Sequence, residues 1–138
     1  MITIFFVVVT CIISILAFSN GQVFSKLQFN PYQVYHRKEY YRLLSHGFIH
    51  ADWWHLIINM FVLFSFGRVV ESYFQQLAEE GVIHFPNFWF SFLYLAAIVV
   101  SSLTTLIRYK NNIMYNSVGA SGGVSAVLFC SIFFHENR

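Results

Sequence analysis

The chain has 138 residues, of which 57% are apolar, 20% aromatic and only 10% charged. A soluble domain carries about 25% charged residues, so this chain has too little polar surface to cover a globule in water, and its apolar excess is expected to face lipid. The formal net charge is +2, and the eight Lys and Arg residues are scattered through polar gaps with no single basic face, which argues against nucleic-acid binding. Cys11 and Cys130 both lie inside apolar stretches, where a thiol behaves as a small hydrophobe and says nothing of redox compartment.

Residues 1–18 hold no charged side chain, and about 18 apolar residues just span hydrocarbon. A secretory signal competes, but the basic start is missing and residues 19–29 offer no clear small-residue cleavage site, so a retained first span is expected. From Ser19 to Arg42 the chain turns polar, with Asn20-Gly21, Asn30-Pro31 and the cluster His36, Arg37, Lys38, Glu39 marking a first loop. Tyr32, Tyr35, Tyr40 and Tyr41 suit a membrane interface. A second apolar stretch, residues 47–67, carries His50, Asp52, His55 and Asn59 in its first half, and the polar segment Glu71, Gln75, Gln76, Glu79, Glu80 follows it. Residues 88–107 give the cleanest span. After the polar loop of Arg108, Lys110, Asn111, Asn112 and Asn116, residues 121–134 are apolar again. That segment rises only about 21 Å as a helix, short of the roughly 30 Å hydrocarbon layer. The helix is therefore expected to start inside the membrane, beside a protein-lined or water-filled cavity at Ser121. With no internal repeat, the chain is expected to form a single all-α domain over residues 1–138, a polytopic transmembrane helical bundle with about four spans (1–18, 47–67, 88–107, 121–134).

Gly119-Ala120-Ser121-Gly122-Gly123 fits the Gly-x-Ser-x-Gly pattern of a serine nucleophile on a sharp turn into a helix. The same residues also form Gly-xxx-Gly, a small surface for packing membrane helices. His55 and Asn59 lie four apart and share one helix face. Both donate hydrogen bonds, and two donors aimed into one cavity would stabilise the oxyanion formed when a serine attacks a peptide carbonyl. Asn59 also suits an ordinary interhelical hydrogen bond. His46 and His50, again four apart, open the alternative of a metal site with Asp52 or His55, but His-Glu-x-x-His is absent and no cysteine lies near. No metal and no cofactor are expected.

The run Tyr41-Arg42-Leu43-Leu44-Ser45-His46-Gly47-Phe48-Ile49-His50-Ala51-Asp52-Trp53-Trp54-His55-Leu56-Ile57-Ile58-Asn59 resembles the rhomboid pattern of an aromatic-Arg pair, histidines and His-x-x-x-Asn. Gly67-Arg68-Val69-Val70-Glu71 is similar to that family's Gly-x-x-x-Glu, and Gly119-Ala120-Ser121-Gly122 to its Gly-x-Ser-Gly motif. The resemblance covers residues 40–130 and implies an intramembrane serine endopeptidase. Ser121 would be the nucleophile. His55 and Asn59 would donate to the oxyanion beside the Ser121 backbone N–H. Gly119, Gly122, His50, Arg42 and Glu71 would be structural or supporting. The implied partners are a transmembrane protein substrate and membrane lipids, and the implied setting is a multi-pass protein of the cell (inner) membrane.

Rhomboid enzymes pair the serine with a histidine on a sixth helix, whereas four spans are expected here. His135 lies about 21 Å along a helix from Ser121, and His36 and His84 fall in loops. The expectation is thus of a partial sequence, inactive as it stands. The rival is an inactive rhomboid-like protein of derlin type that binds transmembrane segments without cutting them. The family arrangement also places Lys26, Arg37, Lys38, Arg42, Arg108 and Lys110 outside, against the positive-inside rule.

Overall fold

The computed structural model describes residues 1–136. It contains seven α-helices: α1 (Ile2–Phe18), α2 (Gly21–Leu27), α3 (Pro31–Arg37), α4 (Arg42–Ser45), α5 (Trp53–Glu79), α6 (Pro86–Tyr109) and α7 (Ser121–Glu136), with a 3-10 turn at His46–Phe48. No strand occurs among the described residues. α5 lies between α1 and α7, and α6 packs against both α5 and α7. Their shared core joins Phe6 of α1, Leu56, Met60 and Leu63 of α5, Phe90, Tyr94 and Ile98 of α6, and Val124 and Val127 of α7.

α5 and α6 are long and apolar enough to cross a membrane, and α1 and α7 are shorter apolar helices. Large apolar side chains cover the outside of the bundle: Phe61 is 70% exposed, Ile107 72% and Phe129 77%. α1 is inverted relative to a helix in water. Its Phe5, Val8, Ile12, Ile15 and Leu16 are exposed, while Thr3, Thr10 and Ser14, which share one face at spacings of seven and four, are fully buried. Such a distribution is stable only where the surrounding solvent is apolar.

The second span begins later and ends later than the 47–67 stretch read from hydropathy. Residues 42–48 form two short turns, and α5 starts at Trp53 because the Asp52 side chain accepts the His55 N–H at 2.8 Å as an N-cap. It then continues through Glu71, Gln75, Gln76 and Glu79, the polar segment that the sequence placed after the span. Gln and Glu are good helix formers, and 27 residues rise about 40 Å, so the last polar turns emerge from a hydrocarbon layer about 30 Å thick. Pro86 occupies the first turn of α6, where its missing N–H costs nothing.

The first loop is a folded layer over one end of the bundle. Asn20 and Asn30 cap α2 and α3, and a two-residue bridge ties the layer to the loop before α7: the Phe29 N–H donates to the Ser117 carbonyl at 2.9 Å, and the Ser117 N–H to Phe29 at 3.0 Å. Asn30 Nδ2 adds bonds to the Ile113 carbonyl and Asn116 Oδ1, both 2.9 Å. Arg42, buried, donates to the carbonyls of Ser25 at 2.9 Å and Gln28 at 2.7 Å and to Glu39 Oε2 at 3.0 Å. It therefore holds the end of α2 against α4.

Candidate active site

The layer positions residues 46–55 against residues 117–121. The Gly119 N–H donates to the His46 carbonyl at 2.9 Å, and the Ala120 N–H to His50 Nε2 at 3.4 Å. α7 begins at the next residue, and its first backbone bond runs from the Val124 N–H to the Ala120 carbonyl at 2.9 Å. Ser121 thus sits on the first turn, exposed, with one of the unpaired donors that every helix N-terminus presents.

Gly119 has φ of +119°, and a Cβ there would stand 2.8 Å from His55 Cε1 and 3.3 Å from His55 Nε2. The conformation and the space both require glycine. His55 therefore lies directly on the loop that leads into α7, against the glycine two residues ahead of Ser121. The Ala51 N–H approaches His55 Nδ1 at 3.5 Å, which leaves the ring proton on Nε2, the nitrogen nearer the Gly119 side. Asn59, buried, donates from Nδ2 to the His55 carbonyl at 2.9 Å. A carboxamide has two N–H donors, so one remains for another acceptor.

A polar cavity of about 480 Å³ adjoins Ser121. It opens toward α6: Ser101, Ser102 and Thr105 line it with Ser117, Gly122, Ser125 and His46, and neither His55 nor Asn59 is among its walls. The arrangement expected from sequence, with Ser121 facing those two donors across the cavity, is thus split. The donors approach the loop at Gly119, and the cavity lies beyond Ser121. Gly122 draws α6 close, since a Cβ on it would meet Ser101 Oγ at 2.1 Å and Ser101 Cβ at 2.6 Å. Among the described residues His46 Nε2 is buried without a hydrogen-bond partner, and burial lowers the His46 pKa below the ordinary imidazole value. A cavity of this size lined by hydroxyls can hold water on such a nitrogen.

Glu71 lies at the far end of the bundle from Ser121. Its carboxylate accepts the Ile2 N–H at 2.7 Å, the Thr3 hydroxyl at 2.9 Å and the Met1 amine. Gly67, one turn earlier, lets Thr3 come within 2.6 Å of the place a Cβ would take. Together they clamp the start of α1. Sequence reasoning missed Ser14 and the hydroxyls of α6. Thr3, Thr10 and Ser14 on one face of α1, and Ser101, Ser102 and Thr105 in an otherwise apolar helix, were the available signals.

The first and third motifs meet at this site while the second forms the clamp on α1, and residues 37–138 match the family model described as the Rhomboid domain. The chain belongs to the rhomboid family. It is similar to Rhomboid-like protein 11, chloroplastic, of Arabidopsis thaliana, with 33% identity over 102 residues, which is 72% of this chain and 31% of that relative. The chain thus spans under a third of that rhomboid relative's length. The all-helical bundle with membrane-spanning helices is that of a rhomboid membrane protein.

Proposed function

We propose that this rhomboid-family chain carries the nucleophile and oxyanion half of an intramembrane serine endopeptidase, acting on transmembrane segments of other proteins in the cell (inner) membrane. The observation that carries the reading is the position of Ser121: exposed on the first turn of α7, beside a polar cavity, with His55 on the glycine two residues before it. Oγ would add to the scissile carbonyl carbon, and its proton would pass to a base. The negative oxygen would form at the N-terminus of α7, where the helix dipole and unpaired amides favour an anion. The Ser121 N–H, His55 Nε2 and the second Asn59 N–H are the available donors.

A second reading, binding without cleavage, is favoured by one observation. Among the described residues no imidazole is hydrogen-bonded to Ser121, and an unactivated serine is a weak nucleophile at neutral pH. The test is cleavage of a transmembrane substrate in liposomes by the full-length protein and its Ser121→Ala and Asn59→Ala variants. The protease reading expects no cleavage from Ser121→Ala and a loss of about 10²–10³ in turnover from Asn59→Ala. Substrate capture without any Ser121-dependent cleavage would establish the binding reading instead.

A further inference from the structure

We infer that His50, held by Ser14 of α1, is a positioning residue that fixes the backbone ahead of Ser121 and so aims the Ser121 N–H toward the oxyanion. The catalytic part of this inference rests on the reading of Ser121 as nucleophile. The hydrogen-bonded chain does not.

His50 lies in the loop before α5 and is fully buried. Its Nε2 faces the Ala120 N–H at 3.4 Å, and its Nδ1 faces Ser14 Oγ at 3.1 Å. A backbone amide can only donate, so Nε2 must offer its lone pair. The neutral ring then carries its proton on Nδ1. That proton goes to Ser14 Oγ, whose own hydrogen goes to the Phe48 carbonyl at 2.9 Å. Every link of the chain Ala120, His50, Ser14, Phe48 therefore has one permitted direction.

The consequence reaches Ser121 through the rigid peptide group. With the Gly119 N–H on the His46 carbonyl and the Ala120 N–H on His50, two consecutive amides are tied to residues 46–50. The carbonyl of Ala120 is in turn taken by Val124. That carbonyl and the Ser121 N–H belong to one planar trans peptide and point in opposite directions. Holding the oxygen along α7 thus aims the Ser121 N–H out of its N-terminus, toward the side where a substrate carbonyl would lie.

The chain works only while His50 is neutral, since a second ring proton would face the Ala120 N–H. Ser14 on α1 and the 117–120 loop bring no charge to it. The titratable group against it is His55, with ring centres 5.0 Å apart. Burial, with the like charge of His55 second, pushes the His50 pKa down to about 4.

The test begins on the unmodified full-length protein in lipid nanodiscs. Nitrogen-15 histidine NMR should show His50 as the neutral ring protonated on Nδ1 down to about pH 5, and Ala120 should exchange its amide hydrogen slowly. His50→Leu should speed that exchange about tenfold, the loss of one buried bond, and lower kcat with KM unchanged. His50→Gln, which keeps an acceptor and a donor at similar reach, should restore both. Protonation on Nε2, ordinary titration near pH 6.5, or Ala120 exchange indifferent to His50→Leu would overturn the inference and leave the nucleophile reading untouched. The expected NMR and exchange results without any wild-type cleavage would instead sink the nucleophile reading, and with it the catalytic role of His50.

Discussion

Replacing Gly119 by alanine isolates two effects that the structure keeps separable. The first is backbone strain: φ of +119° lies where L-residues rarely go, and holding one there costs about 1–3 kcal/mol. The second is overlap: the new methyl would stand 2.8 Å from His55 Cε1, 3.3 Å from Nε2 and 3.8 Å from Nδ1, and those are its three nearest neighbours. Forcing a methyl into such a contact costs a further 1–3 kcal/mol or so. Gly119→Ala should therefore lose about 2–6 kcal/mol, the sum of the two terms. Adding His55→Ala removes the overlap and leaves the strain, so a double-mutant cycle should return a coupling of about 1–3 kcal/mol in the stabilising direction. Reversible unfolding in mixed micelles, read by tryptophan fluorescence, measures all four corners. Additive losses would show that His55 does not lie on Gly119, and full rescue would show that the backbone there is unstrained.

At Gly122 the neighbouring Ser101 sets the outcome: Gly122→Ala should destabilise by about 1–3 kcal/mol, and Ser101→Gly should relieve it better than Ser101→Ala, because Cβ as well as Oγ is in the way. Unfolding midpoints of the two double variants decide this. Thr3→Val, which removes one bond to a charged acceptor, should cost about 1.5–3 kcal/mol; Glu71→Ala, which removes all three bonds of the clamp, should cost more and free the start of α1, and protease sensitivity near residue 1 reports both. For pH, the His50 pKa is lowered from 6.5 to about 4 in the folded chain, so the unfolded chain binds the extra proton between those values. Its contribution is complete above pH 6.5 and should fall by at most about 1.4 kcal/mol per unit as pH drops toward 4. His50→Gln should flatten that part of the stability profile.

Much of the bundle was legible because composition and hydropathy report the solvent, and the one-turn spacing of His55 and Asn59 reports a shared helix face. The start of α5 was legible too, but from a different signal than hydropathy: Asp52 before Trp53 is an N-cap, and Asn30-Pro31 is a cap followed by a first-turn proline. Reading these only as turns or as apolar-stretch residues moved the second span and left the first loop without its helices. The chain through Ser14 and His50 was not legible. Its members are separated by 36 and 70 positions, and nothing local to either residue signals the other. The side of Ser121 on which the cavity opens depends in the same way on how α6 packs against α7.

The inverted face of α1 bears on how the chain assembles in the bilayer. A helix with an apolar outside enters lipid on the strength of that outside alone, and the hydroxyls of Thr10 and Ser14 can meanwhile bond to carbonyls one turn back on the same helix. The stripe of Thr3, Thr10 and Ser14 is then an address read only when later helices arrive: Glu71 of α5 takes Thr3, and the loop before α5 takes Ser14. Insertion and docking are in this way assigned to opposite faces of one short segment. Leucine at those three positions would make α1 a better anchor and a poorer member of the bundle, so selecting this protein for membrane yield alone would erode the contact that orders the loop ahead of Ser121.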